Sequence, residues 1–132
     1  MKFALVTGGS RGIGRAICVK LAKQGYHILV NYKSNDTEAQ HTAQLVTQCG
    51  VTAELMKFDV SDKGAVTQQI ENWAKQNPDK HIEVLINNAG IRQDALMIWM
   101  TDEQWQDVLG ASLNGFYFVT RAVLNGMLTK RY

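Results

Sequence analysis

The sequence predicts an α/β fold: a doubly wound parallel sheet of four strands in the order 3-2-1-4, with a helix after each strand. Three observations carry this expectation. Short apolar runs alternate with longer stretches at helical spacing, and glycine or Ser/Asn/Asp clusters punctuate them. The first strand-to-helix junction also packs four glycines into the seven residues from Gly8 to Gly14. Strands that alternate with helices of ten or more residues imply right-handed crossovers, and hence parallel strands.

Phe3 to Thr7 is a short apolar run ending in glycines, the pattern of a strand buried on both faces. From Ile13 the residues Ala16, Ile17 and Leu21 recur at helical spacing up to Gly25, which suits a C-terminal cap. His27 to Asn31 reads as the second strand. Ser34-Asn35-Asp36 then offers N-caps for a helix with Ala39, Ala43 and Val46 on one face, ending at Gly50. Val51 to Val60 contains the third strand. Ser61 is expected to cap a helix that turns Val66, Ile70, Trp73 and Ala74 inward, until Asn77-Pro78 breaks it.

The fourth strand spans Ile82 to Asn87. Asn88-Ala89-Gly90 and a short apolar stretch lead to Thr101-x-x-Gln104, a capping box that opens a long helix toward Lys130. Its expected buried stripe is Trp105, Val108, Leu109, Ser112, Phe116, Val119, Val123 and Met127. Gly110 and Gly115 weaken that helix by about 1 kcal/mol each relative to alanine, which a kink or a close approach would explain.

A chain of 132 residues, 45% of them hydrophobic, holds one core, and no composition shift marks a linker. Residues 1–132 therefore read as part of a single domain. The formal charge is only +2, with basic residues scattered among acids, which argues against a nucleic-acid partner. Cys18 and Cys49 have neither C-x-x-C nor Cys/His spacing, so no metal site is expected and reduced thiols point to a cytoplasmic setting. Phe3-Ala4-Leu5-Val6 is too short for a signal segment, and no membrane span is expected.

Thr7-Gly8-Gly9-Ser10-Arg11-Gly12-Ile13-Gly14 has the spacing G-x-x-x-G-x-G, distinct from G-x-G-x-x-G. The physics is shared. Glycine permits the tight turn and lets backbone approach a pyrophosphate, while the helix N-terminus presents N–H groups and a positive dipole end to it. A loop that merely turns the chain is the plainer alternative.

That spacing resembles the short-chain dehydrogenase/reductase family, and two later segments match in the expected order: Asp59-Val60 ending the third strand, and Asn87-Asn88-Ala89-Gly90 ending the fourth. The resemblance implies a Rossmann-like fold in which Gly8, Gly9, Ser10, Arg11, Gly12, Ile13 and Gly14 cradle the cofactor phosphates. It implies that Asp59 bonds the adenine, that Val60 packs against it, and that Asn87, Ala89 and Gly90 line the adenosine ribose. Taken alone, Asp59 also reads as a strand-end turn residue and Asn87-Asn88 as backbone caps. A flavin on the same loop would leave the Asp-Val and N-N-A-G segments without a role.

Selectivity for NAD usually places an acid at the end of the second strand, where it accepts both ribose hydroxyls and repels a 2′-phosphate. Here that position reads Asn31-Tyr32-Lys33-Ser34, and the nearest acid is Asp36. Arg11 and Lys33 each offer a charge-assisted bond to phosphate, so NADPH is the expected cofactor. Lys33 also reads as an ordinary solvated lysine.

Reduction in the family uses a tyrosine as general acid, a lysine four residues later, and a serine on the preceding strand. None of Tyr26, Tyr32, Tyr117 and Tyr132 begins Y-x-x-x-K; Tyr117 with Arg121 imitates the spacing but lies too early in the order. The family's helix asparagine falls at Ser112, in Ser112-Leu113-Asn114-Gly115. On an α-helix Asn114 would point about 200° away from Ser112. Ser112 is thus the one candidate catalytic position, through a proton-relay water, with back-bonding to a helix carbonyl as its other role.

Among family members the Val6–Gly14 run, the Ile86–Ile91 segment and the Trp105 helix are most like 3-oxoacyl-acyl-carrier-protein reductases, of which the chain resembles only the N-terminal half. The resemblance implies NADPH-dependent reduction of a carrier-bound 3-oxoacyl group by the intact protein, with a homo-oligomer as its state. The chain alone is expected to be inactive and truncated before a fifth strand, leaving an apolar edge. The alternative is a non-catalytic nucleotide-binding or assembly module derived from a degenerate reductase.

Overall fold

A computed structural model describes residues 1–90 and 100–130. Four strands, β1 (Lys2–Val6), β2 (His27–Tyr32), β3 (Ala53–Lys57) and β4 (His81–Ile86), form one parallel sheet in the order β3-β2-β1-β4. The helices are α1 (Gly12–Lys23), α2 (Asp36–Thr47), α3 (Lys63–Gln76), α4 (Asp102–Leu109) and α5 (Gly115–Lys130). This is the expected doubly wound architecture.

Strand alternation divides β1 between two cores. Phe3 and Leu5 join Leu29, Trp73, Val119 and Val123 on the side of α3 and α5. Ala4 and Val6 join Ile28, Val30, Cys18, Ala22 and Val46 on the side of α1 and α2. Both faces of the central strands are dry, which is why β1 and β2 read as continuous apolar runs. β4 is only half-buried along its length and pairs with β1 alone among the described residues, with a register slip between Phe3 and Ala4.

Several local expectations are corrected. The buried line of α1 is Gly14, Cys18 and Ala22, with Ile17 and Leu21 beside it, whereas Ala16 faces out. The face shifts because Gly14 must approach the loop behind it. Asp62, not Ser61, caps α3, its side chain accepting from Ala65 N. Ser61 instead donates through both its N–H and its hydroxyl to Asp59. Ala74 is exposed, whereas Val66, Ile70 and Trp73 are buried as expected. Asn35 caps α2 by accepting from Glu38 N.

The capping box holds in both directions, Thr101 N donating to Gln104 Oε1 and Gln104 N to Thr101 Oγ1, each at 3.0 Å. Beyond it the single long helix does not persist. A π-helical turn over Gly110–Asn114 separates α4 from α5. The wider turn changes the phase of the helix beyond it, where Phe116 faces solvent while Gly115, Val119 and Val123 are buried; Ser112 within the turn and Trp105 before it are exposed as well. The apolar stretch after Gly90 lies outside the described residues, as do Arg131 and Tyr132. Among the described residues no helix is long and apolar enough to cross a membrane, and no group of His, Cys, Asp or Glu has metal-binding geometry.

Cys18 and Cys49 are both free. Burial pushes the Cys18 thiol up to about 12, against a smaller opposing backbone hydrogen bond, so it stays protonated and unreactive at neutral pH. Iodoacetamide at pH 8 should therefore label partly exposed Cys49 and leave Cys18 untouched until the chain is unfolded. Peptide mass spectrometry reads this out, and equal labelling of both in the native protein would contradict the packing.

Candidate functional site

The loop between β1 and α1 lies at the carboxyl ends of the strands, where the chain leaves β1 toward β2 on one side while β4 pairs on the other. Ligands of doubly wound sheets bind in the crevice at such a switch point. Gly8 and Gly12 take left-handed φ values of +65° and +59°, which only glycine adopts without strain. Gly14 is required by proximity: a Cβ there would collide with the carbonyl oxygen of Gly8 and stand 2.7 Å from Asn88 Nδ2.

Side chains outside the glycine motif fix this loop. Asn31, only 1% exposed, accepts from Gly8 N through Oδ1, and its Nδ2 donates to the carbonyls of Met56 and Phe58. Its own carbonyl accepts from Gly9 N at 2.9 Å. Named from sequence as a cofactor contact, Asn31 has a fully engaged side chain and acts on the site by holding the loop. Thr7 Oγ1 accepts the N–H groups of Asn88 and Ala89 and lies 3.4 Å from Ile86 O, while Asn88 Nδ2 donates to Gly8 O.

On the far side, Thr42 Oγ1 donates toward the carbonyls of Gly9 and Ser10, at 2.9 and 3.1 Å. Arg15 donates to Thr42 Oγ1, to Ser10 O and to Glu38 Oε2. Arg15, Glu38 and Thr42 were not singled out from sequence; Thr7 stood there only as the first residue of the loop run, and Asn88 carried the reading of a backbone cap, which matches its bond to the Gly8 carbonyl. Thr42 left a signal there, as a hydroxyl on the apolar face that carries Ala39 and Val46.

The top of the loop is open. A Cβ on Gly12 would meet nothing within 4 Å, Ile13 is 74% exposed, and Arg11 is exposed without an ion pair among the described residues. Asn35 and Asp62 cap α2 and α3 with their side chains, but Arg11 gives α1 no side-chain cap, and its first turn has no acid. Those orphan N–H groups and the dipole end are available to an anion. The residues thus fit the phosphates of a dinucleotide.

Around the rim, three acids each meet a base: Glu38 with Arg15 at 2.7 Å, Asp36 with Lys57 at 3.2 Å, and Asp59 with Lys33 at 3.5 Å. Tyr32 is buried and donates its hydroxyl to Asp36 Oδ1 at 2.7 Å, and that bond, with some desolvation, raises the phenol's pKa. The same bond, followed by Lys57, holds the Asp36 carboxyl below the usual carboxylate range. For Asp59, burial pushes upward but is outweighed by the two donors of Ser61 and the charge of Lys33, so its carboxyl is also lowered. Asp59 and Lys33, expected to reach adenine and phosphate, therefore hold each other in this structure.

A second part of the site is a cleft of about 200 Å³ lined by Thr7, Val60, Asn87, Ala89, Ser112, Leu113, Gly115 and Phe116. Asn87 Nδ2 donates to Thr120 Oγ1, tying the end of β4 to α5. Ser112 Oγ stands 3.7 Å from where a Cβ on Gly90 would be. The π-helical turn thus brings Ser112 to the end of β4. Ser112, Leu113 and Asn114 are all exposed there.

A glycine loop at the switch point of a doubly wound parallel sheet, with an uncapped helix behind it, defines a nucleotide-binding α/β protein. Residues 2–132 match the short chain dehydrogenase family model, and the chain belongs to that family of oxidoreductases, which bind a nicotinamide cofactor. It is 42% identical over 127 residues to an acetoacetyl-CoA reductase of Rhizobium meliloti strain 1021, covering 96% of this chain and 49% of the relative. It is 35% identical over 130 residues to a 3-oxoacyl-acyl-carrier-protein reductase of Staphylococcus epidermidis, covering 98% and 52%. A crystal structure from Agrobacterium tumefaciens, assigned as a gluconate dehydrogenase, superposes with a TM-score of 0.91 at 31% identity, covering 99% of this chain and 51% of that one. The chain spans about half the length of the curated relatives it matches.

Two outcomes test this geometry. Gly14→Ala should lose about 2 kcal/mol in urea denaturation, because overpacking against backbone costs about 3 kcal/mol and alanine's helix propensity returns only about 1; an unchanged midpoint would refute the close approach. Tyr32→Phe should raise the Asp36 carboxyl toward its ordinary pKa in a carboxyl-carbon NMR titration. The donors favour the ionised form, so their contribution is complete above the ordinary carboxylate pKa and is lost as pH falls through the lowered one. A pKa unmoved by the substitution would remove Tyr32 as the cause.

Proposed function

We propose that this chain supplies the cofactor-binding half of an NADPH-dependent reductase of 3-oxoacyl thioesters. The observation that carries the cofactor assignment is the charge of the rim: each of its three acids is matched by a base, and Arg11 remains uncommitted beside the open loop. A 2′-phosphate suits such a surface better than a bare ribose hydroxyl does.

In this reading Gly8, Gly9, Ser10, Gly12, Ile13 and Gly14 let the backbone and the α1 N-terminus hold the pyrophosphate. Arg11 bonds the 2′-phosphate, with Lys33 joining it by leaving Asp59, and Tyr32 shapes the floor of that subsite. Asp59 and Val60 face the adenine, and Asn87, Ala89 and Gly90 border the cleft that leads toward the reacting end. A bound reduced nicotinamide supplies hydride to the substrate carbonyl. Ser112 lines that cleft and holds a water there, the one proton-handling role assigned within this chain. The tyrosine, lysine and strand serine that the family uses have no counterpart among residues 1–132.

The acyl thioester assignment rests on the acetoacetyl-CoA and 3-oxoacyl-acyl-carrier-protein reductases among the relatives. A cytoplasmic setting and a homo-oligomer accompany it as parts of the same proposal. Fluorescence titration of the chain with NADPH and NADH should give at least tenfold tighter binding of NADPH at low salt, a gap that narrows as salt screens the phosphate. Equal or tighter binding of NADH would overturn the assignment.

A further inference from the structure

Asp36 is the acid nearest the end of β2, where a free carboxylate would accept ribose hydroxyls and repel a 2′-phosphate. In this structure both of its oxygens are engaged. Oδ1 accepts from the buried Tyr32 hydroxyl at 2.7 Å and lies 3.2 Å from Lys57 Nζ; Oδ2 lies 3.4 Å from the same ammonium. Lys57 is delivered there by sheet register, since it ends β3 directly opposite Tyr32 of β2.

The pair sits at the surface, with side chains 53% and 58% exposed. Exposed ion pairs contribute little to stability, so folding gives no strong reason for it. Its larger consequence is for the field at the end of β2. With Lys57 in place the Tyr32–Asp36–Lys57 group carries no net charge; without Lys57 it becomes an anion in the first turn of α2, bonded to the last residue of β2.

We propose that Lys57 is a selectivity-determining positioning residue for the cofactor: it neutralises Asp36 from the neighbouring strand, so that the subsite at the end of β2 accepts a 2′-phosphate. Lys57 acts through Asp36 rather than on the phosphate. The inference rests on the NADPH reading above and adds to it a residue outside the loop and outside β2.

The test is a double-mutant cycle read by fluorescence titration of the whole chain with NADPH and NADH at low ionic strength, each variant's fold being checked by circular dichroism melting. Lys57→Met should weaken NADPH binding about fivefold, the scale of one uncompensated charge acting on a dianion across a solvated gap, and leave NADH unchanged or tighter. Lys57→Arg should keep the wild-type preference. Asp36→Asn should keep or increase it, and the double variant Asp36→Asn with Lys57→Met should return to the wild-type ratio. An unchanged ratio in Lys57→Met overturns the inference and leaves the NADPH reading standing. A double variant as weak as Lys57→Met overturns it too, because Lys57 would then act on the phosphate directly. Wild-type protein that prefers NADH overturns both.

Discussion

The amide side chain of Asn31 fastens three strand ends at once. Its oxygen takes the Gly8 N–H at the end of β1, its nitrogen serves the Met56 and Phe58 carbonyls beside β3, and its backbone belongs to β2. A buried amide is costly unless all of its groups are paired, and here they are. The result is a glycine loop fixed from behind, whose top stays open. Thr7 and Asn88 repeat the device toward β4, and Thr42 and Arg15 toward α2. The loop could not stay flat against Gly14 without this ring of donors and acceptors, because glycine contributes no side chain to hold it.

Electrostatics around the loop follow a different logic. The rim acids are partly or largely exposed, so their pairing contributes little to folding but sets the local field. Because each acid is answered by a base from another element, the surface presented to a ligand depends on sheet register and helix docking. Arg15 reaches α2 from α1, Lys57 reaches it from β3, and Lys33 crosses from the end of β2 to Asp59. Asp59 illustrates the competition: partial burial alone would raise its carboxyl, yet the Ser61 donors and Lys33 reverse the sign.

The segment from Thr101 to Lys130 is where periodicity misled. The capping box was legible because it is a contact within four residues. The stripe beyond it was drawn at constant α-helical pitch, and the π-helical turn at Gly110–Asn114 broke that assumption. Val119 and Val123 survive as core residues, and Trp105 and Phe116 do not. Gly110 and Gly115 had marked the place as irregular without stating which irregularity. The same turn holds Ser112, which lines the cleft shared with Asn87 and Ala89.

By itself the sequence determined the alternation of strands and helices, the parallel sheet order and the glycine junction. These rest on local chemistry: apolar period, capping residues, and the turns only glycine makes. It also located Asp59-Val60 and the Asn87–Gly90 segment at strand ends. Tertiary structure alone decided that the Asn31 side chain clamps the loop, that Thr7, Asn88 and Thr42 fix it further, and that Lys57 meets Asp36. Those facts join residues from 21 to 82 positions apart in the sequence, brought together by a sheet register that no single segment encodes. Hydrogen bonds and ion pairs act over a few ångströms of space, and only the folded sheet brings such residues within that reach.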